Sequence, residues 1–251
     1  MQGFRRKAQG SSLIVVLVAA LAGTPAASAA QYSPPWAHVF SFAYPGDSTG
    51  DSLNTRTSGQ NAVSQLDGAG YDGRDSTTIS AYSALVSYGG NDAVWAHFGH
   101  SRAGAALFWN GSAYSEVMAD ANVSKLNSNW AVEYIKGKTT LKDIRHMAFA
   151  ACNTADSAAP SAPYPRGNLM IAAESAGVDS SIGFYDLVYW PPMNWWARMY
   201  FERLRKGDTV SAAAASARDY VLYATGAYFG TDLYSVRGGS TKLVPAAYGT
   251  G

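Results

Sequence analysis

The sequence predicts an α/β domain built on a mainly parallel sheet covered on both faces, and three observations carry that prediction. Short apolar runs bounded by polar residues recur, Ala93–Phe98 and Met147–Ala151 being the strongest, and strands buried on both faces of a sheet read this way. Segments with helical spacing alternate with them, opened by proline or a capping residue and stopped by glycine. No internal repeat is visible, and the roughly 220 residues after position 30 have the length of one domain.

Taken in order, residues 1–30 are expected to be a secretory signal peptide. Arg5, Arg6 and Lys7 precede the apolar segment Leu13–Ala22, and Ala26–Ala30 supplies small residues for cleavage. That segment is too short for a comfortable membrane span. Residues 31–251 then form a single domain, expected to be secreted and extracellular, with no membrane attachment once the leader is removed.

Gln31–Pro35 is a short tail, and Trp36–Tyr44 is the first strand, ending at Pro45-Gly46. Asp47–Gly59 reads as a surface loop, and Gln60–Leu66 as a short helix closed by Gly68 and Gly70. Thr77–Tyr88 reads as a better helix, with Ile79, Tyr82 and Leu85 on one side and Gly89-Gly90 as its stop. An Asn91-Asp92 turn leads into the Ala93–Phe98 strand. Ala105–Trp109 and Ala113–Val117, joined through Asn110-Gly111, read as a hairpin. Thr140–Arg145 is a helical lead-in to the Met147–Ala151 strand, and Asp156–Pro165 is a proline-rich loop. Gly167–Ala176 is a helix, Val178–Tyr185 a strand, and Pro192–Lys206 a helix begun by proline and stopped by Gly207. Asp208 is placed to cap an alanine-rich helix, Thr209–Thr225. Tyr234–Val236 and Lys242–Val244 flank Gly238-Gly239 as a closing hairpin or edge strand.

Composition narrows the partners. Removing Arg5, Arg6 and Lys7 from the 19 Lys and Arg leaves 16 against 18 Asp and Glu, a formal −2 with no basic run. Nucleic acid and anionic membrane are therefore poor partners. Cys152 is the single cysteine, so no intramolecular disulfide forms.

A free cysteine is commonly a small core hydrophobe. Cys152, however, ends an apolar strand and is followed at once by Asn153 and Thr154, and carboxyl ends of parallel strands are where catalytic groups gather. A thiol is only a few per cent ionised near neutral pH and needs a nearby imidazole. His100, in Gly99-His100-Ser101 at the end of Ala93–Phe98, stands on the same sheet edge and precedes the cysteine by 52 residues. Because His38, His97, His100 and His146 all precede Cys152, an order with the cysteine first is excluded.

AVWAHFGHS followed by RHMAFAACNTA resembles the caspase-like cysteine peptidases, the group that includes caspases, legumain, gingipain and bacterial CHAT-type peptidases. The resemblance spans roughly Ala93 to Val244, with the histidine and cysteine motifs as its specific part. It implies a three-layer fold with helices on both faces and a secreted endopeptidase working by acyl transfer on a peptide or protein substrate. Cys152 would attack the carbonyl, His100 would protonate the leaving amine, and the N–H groups of Ser101 and Cys152 would hold the oxyanion. Ser101 departs from the pattern, the family usually having glycine there. The loop Asp186–Pro192 would wall the substrate cleft, with Asn153, Asp186 and Trp190 as substrate contacts and Asp186 favouring a basic side chain. No cofactor is expected.

Three other readings compete. Gly99-His100-Ser101-Arg102-Ala103 resembles the nucleophile elbow of serine α/β-hydrolases, which would need His146 as its base. His97 and His100 are spaced as metal ligands on a helix, but they sit on a strand with no Cys or Asp/Glu cluster beside them, so no metal is expected. A non-catalytic caspase-like binding domain would draw on the aromatic supply of Tyr185–Tyr200, although Trp196, Met199, Tyr200 and Leu204 fit the apolar face of one helix.

Overall fold

The computed structural model describes residues 33–44, 53–155 and 167–249. The expected signal peptide and the proline-rich loop lie outside the described residues.

In chain order the elements are β1 (Trp36–Ser41), α1 (Arg56–Gly68), β2 (Asp72–Ser76), a π-helical turn (Ser83–Tyr88), β3 (Asp92–Phe98), β4 (Ser101–Arg102), β5 (Ala105–Trp109), β6 (Tyr114–Met118), β7 (Ala131–Tyr134), a 3₁₀ turn (Thr139–Asp143), β8 (His146–Ala150), α2 (Leu169–Ser175), β9 (Ser181–Phe184), α3 (Pro192–Arg205), α4 (Val210–Thr225) and β10 (Tyr234–Arg237). Six strands make the central sheet in the order β10-β9-β8-β3-β1-β2. All neighbours in it are parallel except the β10–β9 pair. A second sheet, β4-β5-β6-β7, grows from the loop after β3.

Alternation along the central strands sorts large from small residues. Phe40, Trp95, Met147 and Phe149 point to one face, where Phe40 and Trp95 pack at 5.1 Å and Trp95 and Phe149 at 5.4 Å between ring centroids. The second sheet, α2 and the π-helical turn cover that face. The opposite face presents Ala37, Val39, Val94, Ala96, Ala148 and Ala150. These small side chains leave room for the bulk of α3, whose Trp196, Tyr200 and Phe201 are buried together with residues of α1 and α4. Trp196, Tyr200 and Leu204 do form a buried helix face, with Met199 partly buried beside them.

Several local expectations fail for identifiable reasons. No regular α-helix spans Thr77–Tyr88. Trp95 Nε1 donates to Ala84 O at 2.9 Å, taking a carbonyl the helical ladder would use, and a π-helical turn results. Helix α1 begins inside the expected Asp47–Gly59 loop, at Arg56, because Thr55 is anchored there: its Oγ1 donates to Phe98 O (2.7 Å) and accepts from Phe42 N–H (2.8 Å). Thr209, not Asp208, caps α4 by accepting from Ala212 N–H, and Asp208 pairs with Arg203 instead. Asp92, expected in a turn, is fully buried at the start of β3 with His38 Nδ1 at 2.6 Å.

Candidate active site

The site forms where β3 and β8 end. Their parallel register pairs Phe98 with Ala150, so His100 and Cys152 each lie two residues past a paired position on adjacent strands. The 52-residue spacing is that register, and neighbouring strands run about 4.8 Å apart. Both residues line one cavity of about 310 Å³, walled further by Leu53, Gly99, Val188, Tyr189 and Trp190. A direct tether joins the two strand ends: Ser101 Oγ donates to the Cys152 carbonyl.

Cys152 sits on a tight turn. Thr154, fully buried, holds it: its hydroxyl proton lies between Phe149 O (3.0 Å) and Ala151 O (3.2 Å), and its oxygen accepts the Phe184 N–H of β9 at 2.9 Å. Asn153 takes up a left-handed φ of 56° and donates its N–H to Asp186 O. The Cys152 sulfur is half-buried against the loop after β9, accepting from Val188 N–H at 3.4 Å, with Val188 O at 3.7 Å as acceptor for its S–H. Burial pushes the Cys152 thiol up; the contact with Val188 works against that, and the Asp186 charge adds to it. Burial and the Asp186 charge both favour the protonated sulfur, so a nucleophilic role would require a base.

The backbone beside His100 is also fixed. Leu107 N–H donates to His100 O at 3.0 Å, while β4 and β5 pair Ser101 with Ala106. In an antiparallel ladder, hydrogen-bonded and non-hydrogen-bonded pairs alternate, so a bonded pair at His100 and Leu107 makes Ser101 a non-bonded one. The Ser101 N–H therefore points away from β5.

Of the expected substrate contacts, Trp190 lines the cavity. Asn153 and Asp186 do not: Asn153 is turned into the loop pairing above, and the Asp186 carboxylate accepts from Leu187 N–H at 2.7 Å. The loop expected to wall the cleft, Asp186–Pro192, lines this cavity through Val188, Tyr189 and Trp190, whereas Leu53 as a wall and Thr154 as the brace were not expected from the sequence. A strand end followed by Asn-Thr was the available signal for the last.

The serine-hydrolase arrangement is not assembled. Ser101 is followed by a hairpin where the elbow requires a helix, and its hydroxyl is spent on Cys152 O. His146 begins β8, at the opposite edge of the sheet. Its Nδ1–H donates to Ser180 Oγ (3.0 Å), which donates on to Arg145 O, and its Nε2 accepts from Tyr200 OH (2.9 Å). Burial lowers its pKa to about 3, so it is a neutral structural histidine. His97 is likewise buried and neutral, lowered to about 4 chiefly by desolvation, with Nε2–H on Leu107 O at 2.9 Å.

No protein-family model matches the sequence, and no curated protein matches it either. Solved structures do. The Arg-specific cysteine proteinase gingipain R is similar with a TM-score of 0.53 and 13% identity, over 83% of this chain and 47% of that one. A structure described as a protease is similar with a TM-score of 0.51 and 13% identity, over 84% and 49%. Caspase-1 from Spodoptera frugiperda aligns at 0.49 and 11% identity, over 82% and 88%. The chain spans about half the length of the first two. Those two establish the architecture: this chain has the caspase-like α/β fold, a mainly parallel sheet between two covering layers.

Proposed function

We propose that this protein is a cysteine endopeptidase in which Cys152 is the nucleophile and His100 its acid–base partner. The observation that carries the reading is the shared cavity: the β3–β8 register brings a histidine and the chain's single cysteine to one pocket at the carboxyl edge of the sheet. In this mechanism the thiol proton passes to His100 as sulfur bonds to the scissile carbonyl carbon. The Ser101 N–H, turned away from β5, and the Cys152 N–H receive the oxyanion. His100 then gives its proton to the leaving amine, and water hydrolyses the thioester with His100 as base. Peptide enters along the wall of Val188, Tyr189 and Trp190. Export to the cell exterior belongs to the same proposal, resting on the residue order of positions 1–30.

The test is hydrolysis of fluorogenic peptides bearing Arg, Lys, Asn or Asp before the cut bond. Cys152→Ala and His100→Ala are each expected to abolish turnover, while Ser101→Ala retains a measurable fraction. Loss in Ser101→Ala with retention in Cys152→Ala would refute the assignment.

A second reading, a caspase-like fold that binds without cutting, draws on the half-buried sulfur held by Val188 and the upward push on its pKa. It is decided by iodoacetamide. Alkylation of Cys152 well below its ordinary range of about 8.5 shows an imidazole-assisted thiolate, and its absence shows an inert thiol.

A further inference from the structure

Resting on the dyad reading above, we propose that Tyr44 is the positioning residue for His100, fixing the backbone and the ring of that histidine where it must meet the thiol proton. Tyr44 follows β1 and is 4% exposed, buried among the aromatic residues under the second sheet. Its hydroxyl accepts the His100 backbone N–H at 3.3 Å and donates to Leu107 O at 2.7 Å. Its ring packs on the imidazole with centroids 4.7 Å apart.

These contacts act together because His100 lies past the end of its strand, where the β3–β8 ladder no longer holds the backbone. Leu107 N–H takes the His100 carbonyl, and Tyr44 takes the N–H. The same Leu107 carbonyl that receives the Tyr44 hydroxyl also receives His97 Nε2–H, so the support is a connected set of partly buried hydrogen bonds. Gly99 belongs to it. A Cβ there would run into the Tyr44 hydroxyl and lie 3.1 Å from the His97 ring. Tyr44 is itself held, tilted against Phe42 at 5.2 Å and stacked on Tyr114 at 6.2 Å. Burial pushes its phenol well above the ordinary range, which keeps the hydroxyl a donor to Leu107.

The readout is the pH profile of Cys152 alkylation by iodoacetamide, which needs no substrate. The titratable groups facing the pair are Tyr44 itself, His97 on β3, Tyr114 on β6, and Asp186 and Tyr189 on the loop after β9. An imidazole-assisted thiolate gives a limb of reactivity near pH 6, in the ordinary imidazole range, whereas the unassisted thiol, pushed up by burial, ionises only on the alkaline side of its ordinary value of about 8.5. Tyr44→Phe keeps the ring and removes both hydroxyl bonds. It is expected to lower the rate near pH 6 roughly ten-fold, the scale of a small misplacement of a reacting group, and to leave the alkaline rate unchanged.

Phe40→Leu is the control. It loosens the same buried cluster through its contacts with Trp95 and Phe108, with no ring contact to Tyr44 or His97, and it is compared at matched loss of melting temperature. Retention of the full acid limb in Tyr44→Phe overturns the proposal while leaving the dyad standing. An equal loss in Phe40→Leu also overturns it, since the effect would then be one of general stability. Absence of any acid limb in the wild type overturns the dyad reading itself, and the proposal with it.

Discussion

Replacing Thr154 by valine tests whether the cysteine turn is braced as its hydrogen bonds indicate. The substitution is close to isosteric, so packing at this fully buried position is kept and the hydroxyl alone is lost. Phe149 O keeps a partner, the Ala151 N–H at 2.9 Å, so the loss there is small. The Phe184 N–H on β9 keeps none of its 2.9 Å bond and is buried beneath a side chain with no exposure. A buried N–H left unsatisfied costs about 1–3 kcal/mol, and we take about 2 kcal/mol as the expected loss. For a domain of this size that corresponds to a fall in melting temperature of about 4–8 °C. Thr154→Ser keeps the hydroxyl and loses one methyl group, and should cost less than the valine variant. The assay is urea unfolding followed by far-ultraviolet circular dichroism, with thermal melts alongside. A valine variant within 0.5 kcal/mol of wild type, a serine variant that loses more, or a changed m-value would each refute the reasoning.

Other expectations follow from the same structure. Arg102 forks onto the fully buried Glu116 at 2.8 and 3.0 Å, so Arg102→Leu strands a buried carboxylate and should cost about 3–5 kcal/mol. The Arg102→Leu, Glu116→Leu double variant should recover most of that loss in the same unfolding assay, and a double variant no better than the single one would contradict it. His146 is held neutral with its pKa at about 3, below the unfolded value near 6.5, so its contribution is fully present above pH 6.5 and is lost as pH falls toward 3. Asp92, raised to about 6 by burial, works in the opposite direction below pH 6, so the measurement is the difference between His146→Gln and wild type. Between pH 6 and 4 the variant's stability should fall less steeply by about 1.4 kcal/mol per pH unit, and parallel curves would refute the assignment. Ser101→Ala removes the hydroxyl tether to Cys152 O while keeping the N–H; kcat should fall by roughly three- to ten-fold with KM little changed, as for one ordinary hydrogen bond of about 1 kcal/mol. A loss beyond a hundred-fold would make Ser101 more than a tether.

The local code was readable wherever a strand is buried on both faces or a helix has clear punctuation. Ala93–Phe98, the 147–151 run and the two helices after Pro192 stand within a residue or two of where their apolar patterns and stop signals place them. The two residues that end the central strands were legible for the same reason, since strand ends carry the change from apolar to polar. Elements whose identity depends on partners were not legible. β2 reads as four polar residues and a glycine, and it is a strand because β1 offers it an edge. β7, with no apolar run of its own, exists by pairing with β6. Asp92 reads as a turn former and is instead a buried partner of His38 across 54 residues.

By itself the sequence determined the sheet class, the order of histidine before cysteine, and the strands at whose ends the two stand. Each of these follows from short-range pattern, because burial on both faces and the end of a strand leave their mark on consecutive residues. The tertiary structure decided which groups hold the pair. Tyr44, Leu107, Thr154 and Val188 come from four separate stretches of chain, and each meets the site through hydrogen bonds in which at least one partner is a backbone group. Such contacts depend on register and on the path of loops, and leave no periodic trace in the residues that make them. The structure also separated Trp190, which faces the cavity, from Asp186, whose carboxylate turns back on its own loop.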